Sequence, residues 1–535
     1  MTPSRQDATR RTLDRIVDDM KSAGLRRPRG PHRRYVPDLV AGASVAIVLI
    51  PQSFAYAQLA GMPAYRGLFA AAIPPLVAAP FASSPYLQPG PTAVSALLTY
   101  AALSPLAPIG SAHYVELGLL LALLVGIVRV AVSLLRAGVL AHLMSQPLLV
   151  GFVPAAAILI IASQLPVVLG VEPRGANELY RAGWALAHAG DWQLEAILAA
   201  ALTTLLLLLA RPIHPLFPAI LVVVVGAALY SKLAGYEGAT VGTTSTSFPP
   251  LTTSLPLGDL PGLIVPALVI ALVGFVEATS IARTYAALER ERWDPNREFL
   301  SQGVANLGAG MLGGFPVGAS FSRSALNWLA GARTNVSGLV TGLAVFAFLP
   351  LGFLLGPLPL SALAAIVIVT VVGLVRPLPV LRLARLSKPQ FLVAATTLVL
   401  TLALAPHIER AVLVGIGLAF AVHLWRELSL EVPCWTTNDT LHLRPVGVLW
   451  FGTAARLEEL LLQLVAEQKQ VRRLLVHLDG LGRIDMTGAL ALRTVLDEAR
   501  AAGLEVEVVD VQPRLRKLVD NVISRQRDPL GTRPH

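Results

Sequence analysis

The sequence has little charge and almost no cysteine. Charged residues make up 14% of its 535 residues, whereas a soluble domain typically carries about 25%. The single cysteine, Cys434, excludes an intramolecular disulfide and a metal site built from several cysteines. Apolar residues instead make up 54% of the chain, and the mean hydropathy is +0.64. This balance indicates that most of the chain lies in a lipid bilayer.

The short motifs that mark many enzymes are also missing. The sequence has no P-loop, no HExxH, no CxxC and no GxGxxG after a strand, and its histidines lack the spacing of metal ligands. We therefore predict no enzymatic activity, no cofactor and no metal site.

The formal net charge of +10 is distributed in a way that argues against nucleic acid as a partner. Lys and Arg residues lie mostly between apolar runs and in an Arg-rich N-terminal tail, residues 1–36. This tail has no apolar run of signal-peptide type. We predict that it is a cytoplasmic tail, held inside by its positive charge.

From residue 37 to residue 428, apolar stretches follow one another with short connections. A helix needs about 20 mostly apolar residues to cross the hydrocarbon core. Two stretches, near 89–104 and 318–330, are interrupted by glycine and proline and are too short to cross as plain helices. Together with these two we predict fourteen segments, the others lying near 38–58, 64–82, 112–135, 140–163, 193–210, 213–232, 261–285, 297–313, 335–356, 359–375, 389–405 and 409–426. The chain is thus predicted to be a polytopic α-helical membrane protein.

The charges in the connections give the orientation of these segments. A cytoplasmic N-terminus places the connection after every even segment inside, where Lys and Arg are enriched. The long connection 235–258 follows the seventh segment and contains neither residue, so we predict that it lies outside. We expect a multi-pass protein of the cell (inner) membrane whose even-numbered connections are cytoplasmic; their basic residues are Arg136, Arg211, Arg290, Arg292, Arg297, Arg333, Arg376, Arg382, Arg385 and Lys388.

The two halves of the membrane region are similar to each other. Each opens with a long apolar helix that begins near an aspartate, Asp38 or Asp259, and each has its interrupted segment in third place. Because seven segments per half is an odd number, the second half is inverted relative to the first. Interrupted helices at matching positions of inverted repeats indicate a transporter's binding site. Glycine and proline can also merely kink a spanning helix, and for each segment taken alone this alternative stays open.

The interrupted segments carry the polar residues that we expect to bind a ligand. Thr92 begins a short helix after Pro89, Gly90 and Pro91, and a second short helix begins near Ala319. Free N–H groups and the positive dipole ends of two such helices suit an anion. An unpaired arginine one turn into the second helix would be costly in lipid unless it faced water, a carboxylate or a bound anion. The predicted residues are Thr92, Ser320, Phe321, Ser322 and Arg323, although the serines can also serve in helix packing alone.

Glu277 is the other ionisable residue deep in an apolar helix. A carboxyl there can be neutral when protonated and charged when it faces water, which suits proton coupling, and with Thr279 or Ser280 it could form a Na⁺ site. The alternative is a fixed ion pair with Arg323. Gln52 occupies roughly the matching position of the first half, where we expect it to face the substrate.

After Glu427 charged residues become frequent and the apolar runs shorten. The stretch 441–451 predicts two strands, 454–470 a helix, RRLLVHLDG a buried strand, MTGALALRTVLDEARAAG a helix, LEVEVVDV a strand and PRLRKLVDNV a final helix. Alternating strands and helices predict a soluble α/β domain at 432–530.

These segments resemble the SulP anion transporter family, also called sulfate permeases. The matching strings are IPQSFAYAQLAGMPAYRGLFAA, SSPYLQPGPTA, VEATSIARTYA, DPNREFLSQGVANLGAGMLGGFPVGASFSRSALN and LSALAAIVIV. The C-terminal domain resembles a STAS domain through LDGLGRIDMTGALAL. The resemblance covers nearly the whole chain except the N-terminal tail.

The resemblance implies fourteen segments in two inverted repeats of seven, arranged as a core and a gate domain, with a cytoplasmic STAS domain and a homodimer. It places Thr92, Ala93, Ser320, Phe321, Ser322 and Arg323 around the substrate, between the third and tenth segments. Family members with a carboxylate in the eighth segment couple transport to H⁺ or Na⁺, and Glu277 matches that position. In related STAS domains a Ser or Thr after an Asp can be phosphorylated; the match is Thr487, whose alternative role is a plain helix start.

We therefore expect a secondary transporter that carries sulfate, bicarbonate or a dicarboxylate by alternating access, with H⁺ or Na⁺ symport. Two alternatives within membrane transport stay open: a nucleobase-type permease of the same fold, and an anion exchanger or channel without ion coupling. A third is a membrane-anchored regulatory protein in which the STAS domain, with a cytosolic partner, is the working part.

Overall fold

The computed structural model describes residues 35–138, 146–173, 175, 177–210, 218–242, 248, 251, 254–427, 431–467 and 470–523. The predicted N-terminal tail up to residue 34, Arg211, the starts of the segments near 140–163 and 213–232, and the domain ends at 428 and 530 lie outside these residues. The chain forms two compact units, which divide between Ala419 and Phe420.

The first unit consists mainly of helices. Its first half contains α1 (Val36–Leu59), α2 (Arg66–Ala78), β1 (Pro89–Gly90), α3 (Ala93–Leu103), α4 (Ala112–Leu134), α5 (Gln146–Leu169), α6 (Glu178–Ala187), α7 (Leu194–Ala210) and α8 (Ala219–Ala234). Its second half contains α9 (Leu260–Glu289), α10 (Pro295–Met311), β2 (Gly318–Ala319), α11 (Phe321–Leu329), α12 (Val336–Phe348), α13 (Leu360–Val371), α14 (Pro377–Leu386) and α15 (Lys388–Ala403), and α16 (Ile408–Glu427) runs across the division between the units.

The lengths of these helices agree with a membrane protein. Within the described residues, seven helical stretches have the length and composition to cross a bilayer, and five shorter apolar helices accompany them. The two interrupted segments form α3 and α11, of 11 and 9 residues. At 1.5 Å per residue they span about 16 Å and 13 Å, roughly half of the hydrocarbon core. The number of fourteen spans stays a prediction, and the prediction omitted α6 and α14, amphipathic helices of ten residues each.

The helices of the first unit pack as two groups. In the first group, α10 packs against α4 and α2, α12 packs against α1 and α2, and α9 packs against α4. In the second group, α5 packs against α15, α13 and α6, and α7 packs against α13. Each group combines helices from both halves of the chain, as expected of intertwined repeats. We call the first group, which also holds α3 and α11, the core domain, and the second the gate domain.

A two-stranded sheet joins the interrupted segments inside the core domain. Strands β1 and β2 pair antiparallel, with Pro89 opposite Ala319 and Gly90 opposite Gly318. A hydrogen bond beside the strands supports this crossing, since the backbone N–H of Gln88 donates to the Ser324 hydroxyl over 3.1 Å. Because α3 and α11 begin directly after the paired strands, their N-termini start next to each other.

The second unit is the α/β domain. Its elements are β3 (Cys434–Thr437), β4 (Thr440–Leu443), β5 (Gly447–Leu449), α17 (Phe451–Glu467), β6 (Arg473–His477), β7 (Leu481–Ile484), α18 (Met486–Ala501), β8 (Glu505–Val509) and α19 (Pro513–Leu518), which continues as a π-helical turn to Ile523. A four-stranded sheet has the order β3-β4-β6-β8, and β5 pairs with β7. Alternate residues of β4 and β6, such as Leu441 and Leu474, face one core that is closed by α18.

The prediction omitted β3 and β7. The reason is local: all four residues of β3 are exposed, and β7 carries Gly482 and Arg483 between its two buried ends. Neither strand therefore shows the apolar alternation by which strands are found in a sequence.

Candidate functional site

A cavity of about 510 Å³ lies between the core and gate domains, next to the paired strands. Its inner wall contains the starts of α3 and α11, together with one face of α1 and of α9. It extends to the last residue of α7, Ala210, the first of α8, Ala219, and to Leu374 just after α13. The cavity therefore reaches the ends of these helices on one side of the unit. The sequence-predicted residues that line it are Gln52, Thr92, Ala93, Glu277, Ser320, Phe321 and Ser322.

Thr92 is the N-cap of the first half-helix. Its extended backbone and its hydroxyl, which accepts a hydrogen bond from the Ser95 N–H over 3.2 Å, start α3. This bond satisfies one of the N–H groups that a helix leaves free at its beginning. Ala93, the first helical residue, lines the cavity beside Thr92. The remaining N–H groups of this turn give the cavity wall a positive electrostatic potential.

Ser320 plays the same part for the second half-helix. It is the N-cap of α11, and its hydroxyl lies 3.2 Å from that of Ser322. Phe321 is 54% exposed and lines the cavity as an apolar wall. The two half-helices thus bring two helix N-termini, the hydroxyls of Thr92, Ser320 and Ser322, and the ring of Phe321 to the cavity, which is a set of groups suited to an anion.

Arg323 lies behind this wall and does not line the cavity. Its side chain is fully buried, and its Nη1 donates to the Pro91 carbonyl oxygen over 2.8 Å. Its Nε and Nη2 have no hydrogen-bond partner among the described residues. Gly90 makes room for the guanidinium, because a Cβ there would lie 3.3 Å from Nη2. Arg323 therefore ties the second half-helix to the first and retains two unused donors.

Glu277 faces the cavity from the middle of α9. The interpretation that pairs it with Arg323 is corrected by the structure: the electrostatic partner of Glu277 is Arg129 of α4. The reason is that α4, which packs directly against α9, carries its own buried arginine. Gln52 lines the same cavity and is 2% exposed, and its Oε1 has no hydrogen-bond partner among the described residues.

Two predicted residues lie away from the cavity. Ser280 is one turn beyond Glu277 on α9, is exposed, and does not line the cavity; the buried hydroxyl nearest in sequence to Glu277 is that of Thr279. Thr487 belongs to the second unit, where it is the exposed second residue of α18. Asp485 caps that helix by accepting a hydrogen bond from the Gly488 N–H over 2.6 Å. In the described part of the chain, no group of three or more His, Cys, Asp or Glu side chains is arranged to hold a metal ion.

Arg129, Tyr56 and Thr370 are the residues of this region that sequence reasoning missed. Tyr56 and Thr370 line the cavity, but an isolated Tyr or Thr in an apolar helix gives no signal. Arg129 has one: it is the only charged residue in the last 18 residues of α4. An intramembrane charge of this kind indicates a functional site with a partner, and it could have been found from the sequence on that ground.

Matches to family models identify the family of this chain. Residues 36–397 match the model of the sulfate permease family, and residues 434–526 match that of the STAS domain. The chain belongs to the sulfate permease family. It is an anion transporter with a C-terminal STAS domain, and it is not an enzyme.

Similar proteins from distant organisms are named as sulfate transporters. A probable sulfate transporter of Mycobacterium tuberculosis is 33% identical over 395 residues, which are 71% of this chain and 70% of the relative. A chloroplastic sulfate transporter 4.1 of Arabidopsis thaliana is 30% identical over 519 residues, covering 88% of this chain and 74% of the relative.

Solved structures show the same fold at low sequence identity. The murine solute carrier 26 member A9, an anion transporter in an inward-facing state, has a TM-score of 0.82 at 20% identity and covers 92% of this chain and 88% of its own. The transmembrane domain of a cyanobacterial bicarbonate transporter has a TM-score of 0.63 at 22% identity, covering 71% of this chain and 98% of its own. The resemblance to the family and the fold class expected from the sequence are thus confirmed.

Proposed function

We propose that this transporter carries a small oxyanion, of the sulfate, bicarbonate or dicarboxylate class, together with H⁺ or Na⁺, and that the anion binds in the cavity between α3 and α11. The observation that carries this proposal is the meeting of two helix N-termini with their capping hydroxyls, Thr92 and Ser320, beside the acidic Glu277 in one cavity. An anion and a carboxylate at the same site repel each other unless a cation neutralises the carboxylate.

The binding of the anion rests on groups that are already in place. N–H groups at the two helix starts and the hydroxyls of Ser320 and Ser322 are donors, and Gln52 adds an amide. Arg323 adds positive charge from behind the wall, with two donors free to turn toward a ligand. A neutral nucleobase would need hydrogen-bonding edges rather than positive charge, so these groups favour the anion.

Transport by alternating access is supported by the asymmetry of the cavity. On one side it reaches the helix ends at Ala210, Ala219 and Leu374. On the other side, at the far end of α3, Arg181 Nη1 of the gate domain donates to the Tyr100 hydroxyl of the core domain over 3.2 Å. Asn177, the cap of α6, holds that helix to the gate domain by donating to the Ala405 carbonyl over 2.8 Å. Movement of the core against the gate would break the Tyr100–Arg181 contact and open this second side.

The sidedness and the assembly of the transporter are part of the proposal. We propose that the protein lies in the cell (inner) membrane and that the open side of the cavity, the N-terminal tail and the STAS domain face the cytoplasm; the basic residues of the even-numbered connections support this orientation. We further propose a homodimer, with the STAS domain as an accessory to transport that can bind a cytosolic partner. One relative at 27% identity is named a sodium-independent sulfate anion transporter, which supports H⁺ over Na⁺ as the first coupling ion to test.

The proposal is tested by uptake of labelled sulfate, bicarbonate and fumarate into proteoliposomes that contain the full chain. Each anion is offered with an imposed H⁺ gradient, with an imposed Na⁺ gradient, and with neither. We expect accumulation of at least one anion that depends on one of the two gradients. Uptake that equilibrates but never accumulates would instead establish the exchanger or channel alternative, and the absence of any anion uptake would contradict the proposal altogether.

A further inference from the structure

Arg129 is a buried charge next to the cavity that does not itself line it. It lies on α4, its side chain is fully buried, and each of its three nitrogens donates to a backbone carbonyl. Nη2 donates to Ile270 over 3.2 Å, Nε to Ala271 over 3.4 Å, and Nη1 to Val317 over 3.1 Å. The guanidinium is therefore held in one position, between the helix that carries Glu277 and the strand that leads into the second half-helix.

Its hydrogen-bond partners leave its charge unneutralised. Carbonyl oxygens orient a guanidinium, but they carry no formal charge, and an arginine stays protonated in proteins. The carboxylate that interacts with it electrostatically is Glu277. Gly274 explains how they come together: a Cβ on Gly274 would clash with Nη2 of Arg129. Since residues three apart lie on one face of a helix, Glu277 projects from the same face of α9, one turn away.

The formal charges around the cavity determine which anion balances it. Among the described residues that line the cavity or lie directly behind its wall, the formally charged ones are Glu277, Arg129 and Arg323. With Glu277 ionised, two positive charges and one negative charge leave a single net positive charge. A cation bound at Glu277 raises this to two. In a region of low dielectric constant, a loaded site is most stable when its charges balance.

We propose that Arg129 is a specificity-determining residue, whose fixed second positive charge matches the site to a doubly charged anion carried with one coupling cation. This rests on the proposed function, because it takes Glu277 as the coupling carboxylate. The dianion, such as sulfate or a dicarboxylate, balances the two arginines when a cation neutralises Glu277. A monoanion balances the site only when that cation is absent, so it would bind without coupling. The inference selects the dianion as the coupled substrate.

The test compares the affinities of sulfate and bicarbonate for the purified full chain, measured by titration calorimetry. Arg129→Gln removes one positive charge, and since Coulomb energy scales with the product of the charges, the dianion loses twice as much as the monoanion. We expect the ratio of sulfate affinity to bicarbonate affinity to fall by about tenfold. Arg129→Lys keeps the charge and should hold this ratio within about threefold of the unaltered protein.

Two further variants keep the test decisive if Arg129→Gln alone fails to fold. Glu277→Gln leaves two net positive charges permanently, so sulfate should bind as tightly as in the cation-loaded protein without needing the cation. The double variant Arg129→Gln/Glu277→Gln leaves one net positive charge and avoids an unpaired buried carboxylate. Its ratio of sulfate affinity to bicarbonate affinity should be lower than that of Glu277→Gln. Arg66→Gln is the matched control. Arg66 also donates to a backbone carbonyl of the core domain, that of Gly313, but it does not line the cavity. Its substitution should therefore leave the ratio of sulfate affinity to bicarbonate affinity unchanged.

The outcomes separate this inference from the function on which it rests. If the unaltered chain binds sulfate but Arg129→Gln and the double variant keep the affinity ratio, Arg129 is only structural and the inference is overturned. If the affinities for both anions fall by one common factor, the conclusion is the same. If neither the unaltered chain nor Glu277→Gln binds any anion, it is the proposed function that fails.

Discussion

Glu277 is the residue on which the proposed coupling depends. Among the described residues it is the acidic side chain that lines the cavity, and its electrostatic partner is Arg129, which lies behind the cavity wall. We expect Glu277→Gln to abolish gradient-driven accumulation while anion binding persists, because an amide keeps the shape of the carboxyl but cannot take up or release a cation. The measurement is uptake into proteoliposomes with and without the coupling gradient, beside equilibrium binding. Undiminished accumulation in this variant would show that coupling resides elsewhere.

Substitution of Arg323 should weaken anion binding itself, because its side chain contacts the backbone at the start of the first half-helix. Arg323→Ala removes the bond to the Pro91 carbonyl and a buried positive charge behind the anion site. Truncating a buried charged partner of this kind costs on the order of 2–5 kcal/mol, so we expect anion affinity to fall by at least about tenfold. The affinity is measured by calorimetry, with circular dichroism as a check of the fold. A variant that folds and binds the anion with unchanged affinity would contradict the role given to Arg323.

The difference between these residues shows what a sequence can predict about a site. The helix starts at Thr92 and Ser320 are local features, since Gly and Pro followed by a hydroxyl residue define a cap within a few positions. The partner of Glu277 is not local. Arg129 precedes it by well over a hundred positions, and only the packing of α4 on α9 makes it the partner in place of Arg323. Charge in an apolar helix therefore identified Glu277 and Arg323, but the prediction missed Arg129 and with it the partner of Glu277.

At the scale of elements, the hydrogen bond between α3 and α6 is one that the proposed movement of the core against the gate must break. Tyr100→Phe deletes the hydrogen bond to Arg181 and keeps the ring, so it should favour the conformation that is open on the Tyr100 side. Cys434→Ser yields a chain without cysteine, into which Val94→Cys places a label site on the cavity wall. We expect a membrane-impermeant maleimide applied from the Tyr100 side to label Val94→Cys several-fold faster in Tyr100→Phe. Tyr180→Phe, an exposed tyrosine on α6, is the matched control and should change nothing.

The same contact predicts a dependence on pH. Burial raises the pKa of Glu178, which lies one turn before Arg181 in α6, outside the predicted spans, and both of its carboxylate oxygens lack hydrogen-bond partners among the described residues. At low pH the carboxyl is protonated and Arg181 stays with Tyr100. As the pH rises through this raised pKa, the carboxyl ionises and competes for Arg181. We therefore expect labelling from the Tyr100 side to increase with pH, and Glu178→Gln to abolish this increase. A pH profile shared by both proteins would exclude Glu178 as the titrating group.

Elements were predictable where their sequence pattern is local and strong. Long apolar helices such as α1 and α4 follow from hydropathy alone. The pairing of β1 with β2 does not, because each strand is two residues long and its partner lies in the other half of the chain. The sequence indicated two breaks at matching positions; the sheet that turns these breaks into one site is a product of tertiary packing.

At the scale of the whole molecule, the groups proposed to bind the anion all belong to the first unit. The half-helices, Glu277 and Arg129 precede Ala419, where that unit ends, and the second unit has its own apolar core around Leu441, Leu474 and Leu492. The change of composition after Glu427 predicted a separate domain, but it gave no information on whether that domain acts in transport.

Deleting the residues after Val432 decides this question. Since every proposed contact with the anion remains, we expect sulfate affinity within about threefold of that of the full chain, a difference below 1 kcal/mol. The rate of uptake, or the fraction of dimer measured by light scattering, should fall, because the STAS domain is proposed to act on assembly or movement. Thr487→Ala in the full chain is the companion variant. It removes the predicted phosphorylation site, an exposed residue at the start of α18, while the STAS domain stays in place. A truncated chain that is folded and monodisperse but no longer binds sulfate would place part of the anion site in the STAS domain, and the assignment of the cavity in the first unit would then be wrong.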